Sequence, residues 1–267
     1  MPGLSTWFNT VLWDRPLSLG YVVRNLMMTG IREDMTLDLV MWSLVHELRI
    51  SLVFPLLFVL TRRWPAATLV ATLLIAVACT AALAGTDADG VLTSLADTAR
   101  FVPLFVAGIL IASRVDAVRR AVSRLPGALA AVLWVASVAL MLAPGQSMSD
   151  YYNFVWGSGA VLLLWLTVGS ARADRILSAS PLVWLGRVSY SLYLIHVPLL
   201  VAAVHLADGI LPLWLTIALV IPLTLLAAEL MYRAAEEPSI RLGRWLTAPR
   251  RAPAMPLMGP AAWRGPR

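Results

Sequence analysis

Residues 42–55 read Trp42-Ser-Leu-Val-His-Glu-Leu-Arg-Ile-Ser-Leu-Val-Phe-Pro55, and an apolar run continues from there to residue 60. Three ionisable side chains, His46, Glu47 and Arg49, stand at the head of this run. Ionisable groups are costly inside a lipid bilayer, so a membrane segment that contains them is a candidate functional site. The meaning of these side chains therefore depends on whether the run crosses a membrane.

The composition predicts a polytopic membrane protein. Of the 267 residues, 60% are hydrophobic and 13% are charged, whereas a soluble domain carries about 25% charged residues. The net charge of +6 fits arginines that flank membrane spans, so we expect the lipid bilayer as a partner and no nucleic acid. The single cysteine, Cys79, leaves no internal disulfide. No pair of His, Cys or carboxylates has metal-ligand spacing, and we expect no metal.

Seven long apolar runs predict an all-α fold, a membrane bundle of about seven full transmembrane helices. These runs cover roughly residues 40–60, 66–84, 95–112, 127–143, 154–169, 188–205 and 211–231. An earlier apolar stretch, residues 17–28, is too short to cross and is interrupted by Arg24 and Asn25. It predicts a short partial or interfacial helix near the amino terminus.

The charges in the loops predict one orientation and three regions. Arginines follow the first, third, fifth and seventh runs, whereas the intervening loops carry Asp. The positive-inside rule then places the arginine loops and the carboxy terminus in the cytoplasm. We predict a partial or interfacial helix and outer loop at residues 1–39, a transmembrane domain at 40–246, and a disordered cytoplasmic tail at 247–267, which is rich in Pro, Ala and Arg.

As a helix, the head of the first run would be polar around most of its circumference. Ser43 and Glu47 share one face at i, i+4, and His46 and Arg49 are neighbours at i, i+3. Such a head should be enclosed by other helices or line a wet cavity. His46 suits acid or base work near neutral pH, and Glu47 suits holding a catalytic histidine or a substrate hydroxyl. The alternative is that Glu47 and Arg49 only form ion pairs that fix helix packing.

His196 is the second intramembrane candidate, because it falls inside the sixth apolar run. It shares a helix face with Tyr193, and an imidazole at membrane depth needs a polar partner. Catalysis and a structural hydrogen bond between helices both explain its position. At the end of the seventh run, Glu229 and Arg233 have the i, i+4 spacing of an ion pair.

Three segments resemble, in order and spacing, landmarks of the acyltransferase family 3 membrane proteins. They are residues 42–55, Leu185-Gly-Arg-Val-Ser-Tyr-Ser-Leu-Tyr-Leu-Ile-His-Val-Pro198 and Ala235-Glu-Glu-Pro-Ser-Ile-Arg-Leu-Gly243. The resemblance covers roughly residues 7–246. It implies a multi-pass enzyme of the bacterial inner membrane that moves an acyl group, often acetyl, onto a hydroxyl of a carbohydrate or glycolipid. Acyl-coenzyme A is then a co-substrate, and no bound cofactor is implied.

The same resemblance assigns candidate roles to residues. Glu47 matches the acidic residue of the family's first landmark and is the leading catalytic candidate, followed by His46 and His196. Substrate contacts are expected from the other polar and aromatic members of the first two landmarks, namely Trp42, Ser43, Arg49, Arg187 and Tyr193.

The chain departs from the family at its amino terminus. Family members carry additional spans there, the first of which bears a basic residue followed at a fixed interval by a catalytic histidine. No segment before Trp42 matches that helix, so we expect the chain to lack it. A start assigned too late, a fragment and an inactive derivative all explain this difference. Two functional hypotheses follow: an O-acyltransferase, and a non-catalytic membrane protein such as a transporter-like or scaffold remnant.

Overall fold

The computed structural model describes residues 18–28, 30, 38–84, 90–144 and 152–247. Within these ranges the chain is helical and contains no strand. The helices are α1 (Leu19–Leu26), α2 (Met41–Arg63), α3 (Pro65–Leu83), α4 (Val91–Ser113), α5 (Val115–Ser123), α6 (Gly127–Met141), α7 (Tyr152–Gly169), α8 (Ala171–Leu177), α9 (Ser180–Ala207), α10 (Leu213–Met231) and α11 (Glu237–Thr247). A π-helical turn, Tyr232–Glu236, joins α10 to α11. The predicted tail beyond residue 247 and the loop at residues 31–37 lie outside the described ranges.

The predicted all-α membrane bundle is confirmed. In the described part of the chain, five helices are long and apolar enough to cross a membrane: α2, α3, α4, α9 and the continuous stretch from α10 through α11. Two bent pairs, α5 with α6 and α7 with α8, are broken at angles of 119° and 93°. The predicted number of about seven spans is reached only if each bent pair forms one span.

Several helix boundaries differ from the prediction. Helix α4 begins at Val91 and α9 at Ser180, because a helix continues past its apolar run wherever polar side chains can reach water or a neighbouring helix. The basic stretch after the third run is not a loop. It forms the amphipathic helix α5, which buries Val118 and exposes its arginines.

The helices pack mainly as hairpins of sequence neighbours. Helix α3 lies on α4, α6 on α7 and α9 on α10, while α7 also contacts α4 and α5. Glycine allows the α6–α7 pair to approach closely, because a Cβ on Gly159 would lie 2.8 Å from the carbonyl oxygen of Ser137.

Helices α2 and α4 pack together without being neighbours in sequence. His46 of α2 contacts Thr98 of α4, and eleven residues later on each helix Leu57 packs with Ile109. Residue numbers thus increase in the same direction along both helices, so the two helices run parallel. The apolar core between them is formed by Ile50, Leu57 and Ile109. Because both helices begin at the same end, the polar residues at their heads face each other there.

Candidate functional site

A hydrogen-bonded network joins the heads of α2 and α4. Nδ1 of His46 lies 2.9 Å from Oγ1 of Thr98. Nη1 of Arg49 donates to the same oxygen at 3.0 Å, and to the carbonyl and hydroxyl oxygens of Ser94 at 2.9 and 2.8 Å. The spacing of these residues allows the hydrogen bonds between the two helices. His46 and Arg49 are at i, i+3 on one face of α2, and Ser94 and Thr98 are at i, i+4 on one face of α4.

Two aromatic rings hold the imidazole of His46 in place. Trp42 meets it edge to face, with the ring centroids 5.9 Å apart, and Phe101 of α4 lies 5.1 Å away. The His46 side chain is half-buried. The imidazole is therefore oriented by packing as well as by its hydrogen bond.

Helix α9 joins this region through the hydroxyl of Tyr193. That oxygen lies 2.7 Å from Oγ of Ser43 and donates to the carbonyl of Val40 at 3.1 Å. Oγ of Ser43 lies 3.5 Å from the same Val40 carbonyl, so either hydroxyl can donate in the contact between Ser43 and Tyr193. The tyrosine thus links the start of α2 to a helix 150 residues away in sequence.

His196 lies one turn along α9 from Tyr193. Its Nδ1 is 2.6 Å from the Tyr193 carbonyl oxygen, which can only accept, so Nδ1 carries a proton. Asp38, just before α2, interacts electrostatically with His196 and accepts a hydrogen bond from the Val40 N–H at 3.3 Å. Burial raises the pKa of Asp38 more than the Val40 N–H and His196 lower it. His196 is therefore level with the start of α2, not with the middle of the bundle.

Glu47 stands apart from these networks. It is exposed, and among the described residues it has no hydrogen-bond or ion-pair partner. On the helix it lies about 100° round from His46. The enclosure expected for the head of α2 therefore holds for His46 and Arg49, which are half-buried, but not for Glu47 within the described ranges.

Arg187 lies nearer the amino-terminal end of α9 than the site does. Its guanidinium is 5.5 Å from the ring centroid of Tyr232 in the π-helical turn. Counted along the helix, Arg187 is about 9 Å from Tyr193 at 1.5 Å per residue. The structure therefore gathers Trp42, Ser43, His46, Arg49, Tyr193 and His196 at one end of α2 and leaves Arg187 outside that group.

Carboxylates tie α9 to α10 near Arg187. Nε1 of Trp184 donates to Glu229 at 2.8 Å, and Nε of Arg233 donates to the same carboxylate at 2.6 Å, which is the expected Glu229–Arg233 pair. The hydroxyl of Ser191 donates to Glu236 at 2.6 Å. These bonds fix the packing of α9 against α10 and the π-helical turn.

Four residues of the site were not identified from the sequence: Asp38, Ser94, Thr98 and Phe101. A signal for two of them was present, because Ser94 and Thr98 stand with Asp97 and Arg100 at helical spacing ahead of the third apolar run. Asp97 and Arg100 form their own ion pair at 2.7 Å. The head of α4 therefore carries hydroxyl and ionisable side chains, as the head of α2 does.

Gly30 closes the network from the side of the amino-terminal segment. It is buried and has a φ of +78°, a backbone conformation that favours glycine. A Cβ at this position would overlap Oγ of Ser94 and lie 2.8 Å from Nη2 of Arg49. Only a residue without a side chain allows this close approach.

Comparison with protein families gives a match over most of the chain. A family model described as an acyltransferase domain, that of acyltransferase family 3, matches residues 3–233. Searches of curated proteins and of solved structures gave no match. In the described ranges, no group of three His, Cys, Asp or Glu side chains is placed to hold a metal ion.

Proposed function

The chain belongs to acyltransferase family 3, whose model covers residues 3–233, and on this premise we propose that it acylates a hydroxyl of a carbohydrate or glycolipid. Acetyl is the expected acyl group and acyl-coenzyme A the expected donor. The protein is a multi-pass membrane protein, and we place it in the bacterial inner membrane with its arginine-rich loops and carboxy terminus in the cytoplasm. The donor then arrives from the cytoplasm and the acceptor from the outer face.

The polar network inside the bundle carries this proposal. His46 and Arg49 are held on α4 by hydrogen bonds of 2.9 and 3.0 Å to one threonine hydroxyl. Ionisable groups at membrane depth are costly and are found where a pathway or a reaction needs them. The unprotonated nitrogen of a neutral imidazole is suited to remove a proton from an acceptor hydroxyl.

The proposed reaction uses His46 as the base. The acceptor hydroxyl gives its proton to the imidazole while its oxygen attacks the carbonyl carbon of the thioester. The carbonyl electrons move to oxygen and form a tetrahedral oxyanion, which the positive charge of Arg49 stabilises. The carbonyl then re-forms, the carbon–sulfur bond breaks, and the coenzyme A thiolate takes the proton from the imidazolium.

The remaining residues bind the substrates in this proposal. The exposed carboxylate of Glu47 accepts a hydrogen bond from the acceptor. Ser43, Tyr193 and the indole of Trp42 contact the sugar at the same end of the bundle. Arg187, which is exposed on α9 nearer its amino-terminal end, contacts the phosphates of acyl-coenzyme A, since arginine pairs well with phosphate.

Transfer of labelled acetyl from acetyl-coenzyme A to a panel of sugars tests the proposal, with the full-length protein in lipid nanodiscs. We expect His46→Gln to lower kcat by about 10²- to 10⁴-fold at normal protein levels, because it removes the proton acceptor. Glu47→Gln should raise KM for the acceptor, because it weakens a hydrogen bond that the acceptor donates. The matched controls Glu237→Gln and His205→Gln, outside the site, should keep wild-type activity.

Two outcomes would change the assignment. Loss of activity in His196→Gln with normal activity in His46→Gln would make His196, beside Asp38, the base. Absence of transfer from any acyl thioester to any hydroxyl acceptor by the wild-type protein would contradict the proposed activity and identify an inactive member of the family.

A further inference from the structure

We propose that Thr98 and Arg49 are positioning residues that hold His46 as the Nδ1–H tautomer, so that Nε2 is its basic nitrogen. The inference deepens the proposed function by naming the atom that takes the proton. Its catalytic meaning rests on that function, whereas the tautomer itself can be measured without any activity.

The hydroxyl of Thr98 has a limited bonding capacity. Thr98 has a single proton and two lone pairs on Oγ1. Three groups lie within hydrogen-bond distance of this oxygen: the Ser94 carbonyl at 2.9 Å, Nη1 of Arg49 at 3.0 Å and Nδ1 of His46 at 2.9 Å. An arginine nitrogen can only donate and a carbonyl oxygen can only accept.

For the three contacts of Thr98, these limits leave one arrangement that places a proton in each contact. Arg49 donates into one lone pair of Thr98, and the Thr98 proton goes to the carbonyl of Ser94. The second lone pair of Thr98 then accepts the proton on Nδ1 of His46. In the opposite arrangement Thr98 donates to His46, and two oxygens face each other at 2.9 Å without a proton between them. That contact is repulsive, so the Nδ1–H tautomer is favoured.

Arg49 supports the arrangement from the other side. The two protons of Nη1 are shared among Oγ1 of Thr98 and the carbonyl and hydroxyl oxygens of Ser94, which keeps the guanidinium against the first turn of α4. The close approach of Gly30 to Ser94 and to Nη2 of Arg49 confines the guanidinium further. Since the nitrogens of a guanidinium only donate, Arg49 presents a donor to Thr98.

The other nitrogen of His46 is left for chemistry. Among the described residues, no hydrogen-bond partner of Nε2 is found. Trp42 and Phe101 fix the plane of the ring, so the direction of the Nε2 lone pair is fixed as well. A base that is held as one tautomer needs no rearrangement before it takes the proton of an acceptor hydroxyl.

Nitrogen-15 NMR of the full-length protein in detergent micelles, labelled at histidine, measures the tautomer. The protein has three histidines, and the signals of His46 are those lost in His46→Gln. We expect neutral wild-type His46 to show a protonated Nδ1 and an unprotonated Nε2. Finding the proton on Nε2 would overturn the inference, whatever the activity.

Variants of Thr98 then test the positioning role. Thr98→Val keeps the shape and removes the hydroxyl, so the preference for the Nδ1–H form should be lost, whereas Thr98→Ser should retain it. Thr72→Val is the matched control, because Thr72 also bonds a carbonyl of its own helix, that of Thr68, but contacts no histidine. An unchanged His46 spectrum in Thr98→Val would contradict the proposal.

Kinetics separate this inference from the proposed function. If the protein is active, Thr98→Val should lower kcat by about 10- to 100-fold with little change in KM for the thioester, and Thr98→Ser should restore most of it. If the wild-type protein shows no transfer, the proposed function fails and the NMR spectrum still decides the tautomer.

Discussion

One hydroxyl group, that of Thr98, joins α2 to α4 at the site. Thr98 is bonded to its own helix, to a cation on α2 and to an imidazole on α2. A threonine in a membrane helix is usually satisfied by the carbonyl four residues earlier, as Thr72 is. Thr98 makes that bond and two more, so its oxygen links both His46 and Arg49 to α4.

Asp38 gives a prediction for stability against pH. Burial raises its pKa above the ordinary value of 3.8, so between that value and the raised pKa the folded state binds more protons than the unfolded state. Stability therefore falls as pH rises through this window. Asp38→Asn keeps an acceptor for the Val40 N–H and removes the charge, and it should raise the melting temperature at pH 7 by at most about 2 °C.

Thermal unfolding in detergent at two pH values checks this prediction. Below pH 3.8 Asp38 is largely protonated in both states, so the advantage of Asp38→Asn over wild type should disappear there. Asp174→Asn, at an exposed carboxylate on α8, is the control. A variant less stable than wild type at pH 7 would show that the charge of Asp38 stabilises the fold.

The sequence was sufficient to locate part of the site. His46, Arg49 and His196 are recognisable because ionisable side chains inside apolar runs are rare and costly. Ser94 and Thr98 are not, because serine and threonine are frequent in membrane helices and can bond their own backbone. Only the packing of α2 against α4 decides which hydroxyl meets the histidine.

At the level of helices, close approach of backbones sets the α6–α7 pair. A Cβ at Gly159 would lie 2.8 Å from the Ser137 carbonyl and 2.9 Å from Cβ of Leu140, and neither atom can swing away. Gly159→Ala should therefore destabilise the protein by about 1–3 kcal/mol. At Gly157 the nearest atom is the flexible end of Leu104, so Gly157→Ala should cost less.

Melting temperatures of the two variants in one detergent test this ranking. Gly186→Ala is the control, since a Cβ there meets nothing within 4 Å and alanine is the better helix former. Equal stability of Gly159→Ala and Gly186→Ala would show that α6 and α7 are not held by this contact.

The positions of the helices could be predicted better than their ends. Long apolar runs identified α2, α3 and α10 within a few residues. The first turns of α4 and α9 were missed because they contain polar residues, among them Ser94 and Trp184, that are satisfied by neighbouring helices. Hydropathy alone does not show which helices pack against these polar residues.

For the whole molecule, the distribution of arginine predicts the orientation in the membrane. In a Cys79→Ser background, a cysteine at Asp208, after α9, should react with a membrane-impermeant maleimide in intact cells. A cysteine at Ser123, at the end of the arginine-bearing helix α5, should react only after the cells are permeabilised. Both positions are exposed, and labelling in the reverse order would show the opposite orientation.

The hydroxyl of Tyr193 has a consequence for the order of folding. Helical hairpins such as α3–α4, α6–α7 and α9–α10 close short loops, which costs little chain entropy. The bond from Tyr193 to Ser43 closes a loop of 150 residues, and contacts between such distant segments form slowly. We therefore expect the helices to be inserted and paired as hairpins first. The contact between Tyr193 and Ser43, and with it the site, should form late in folding.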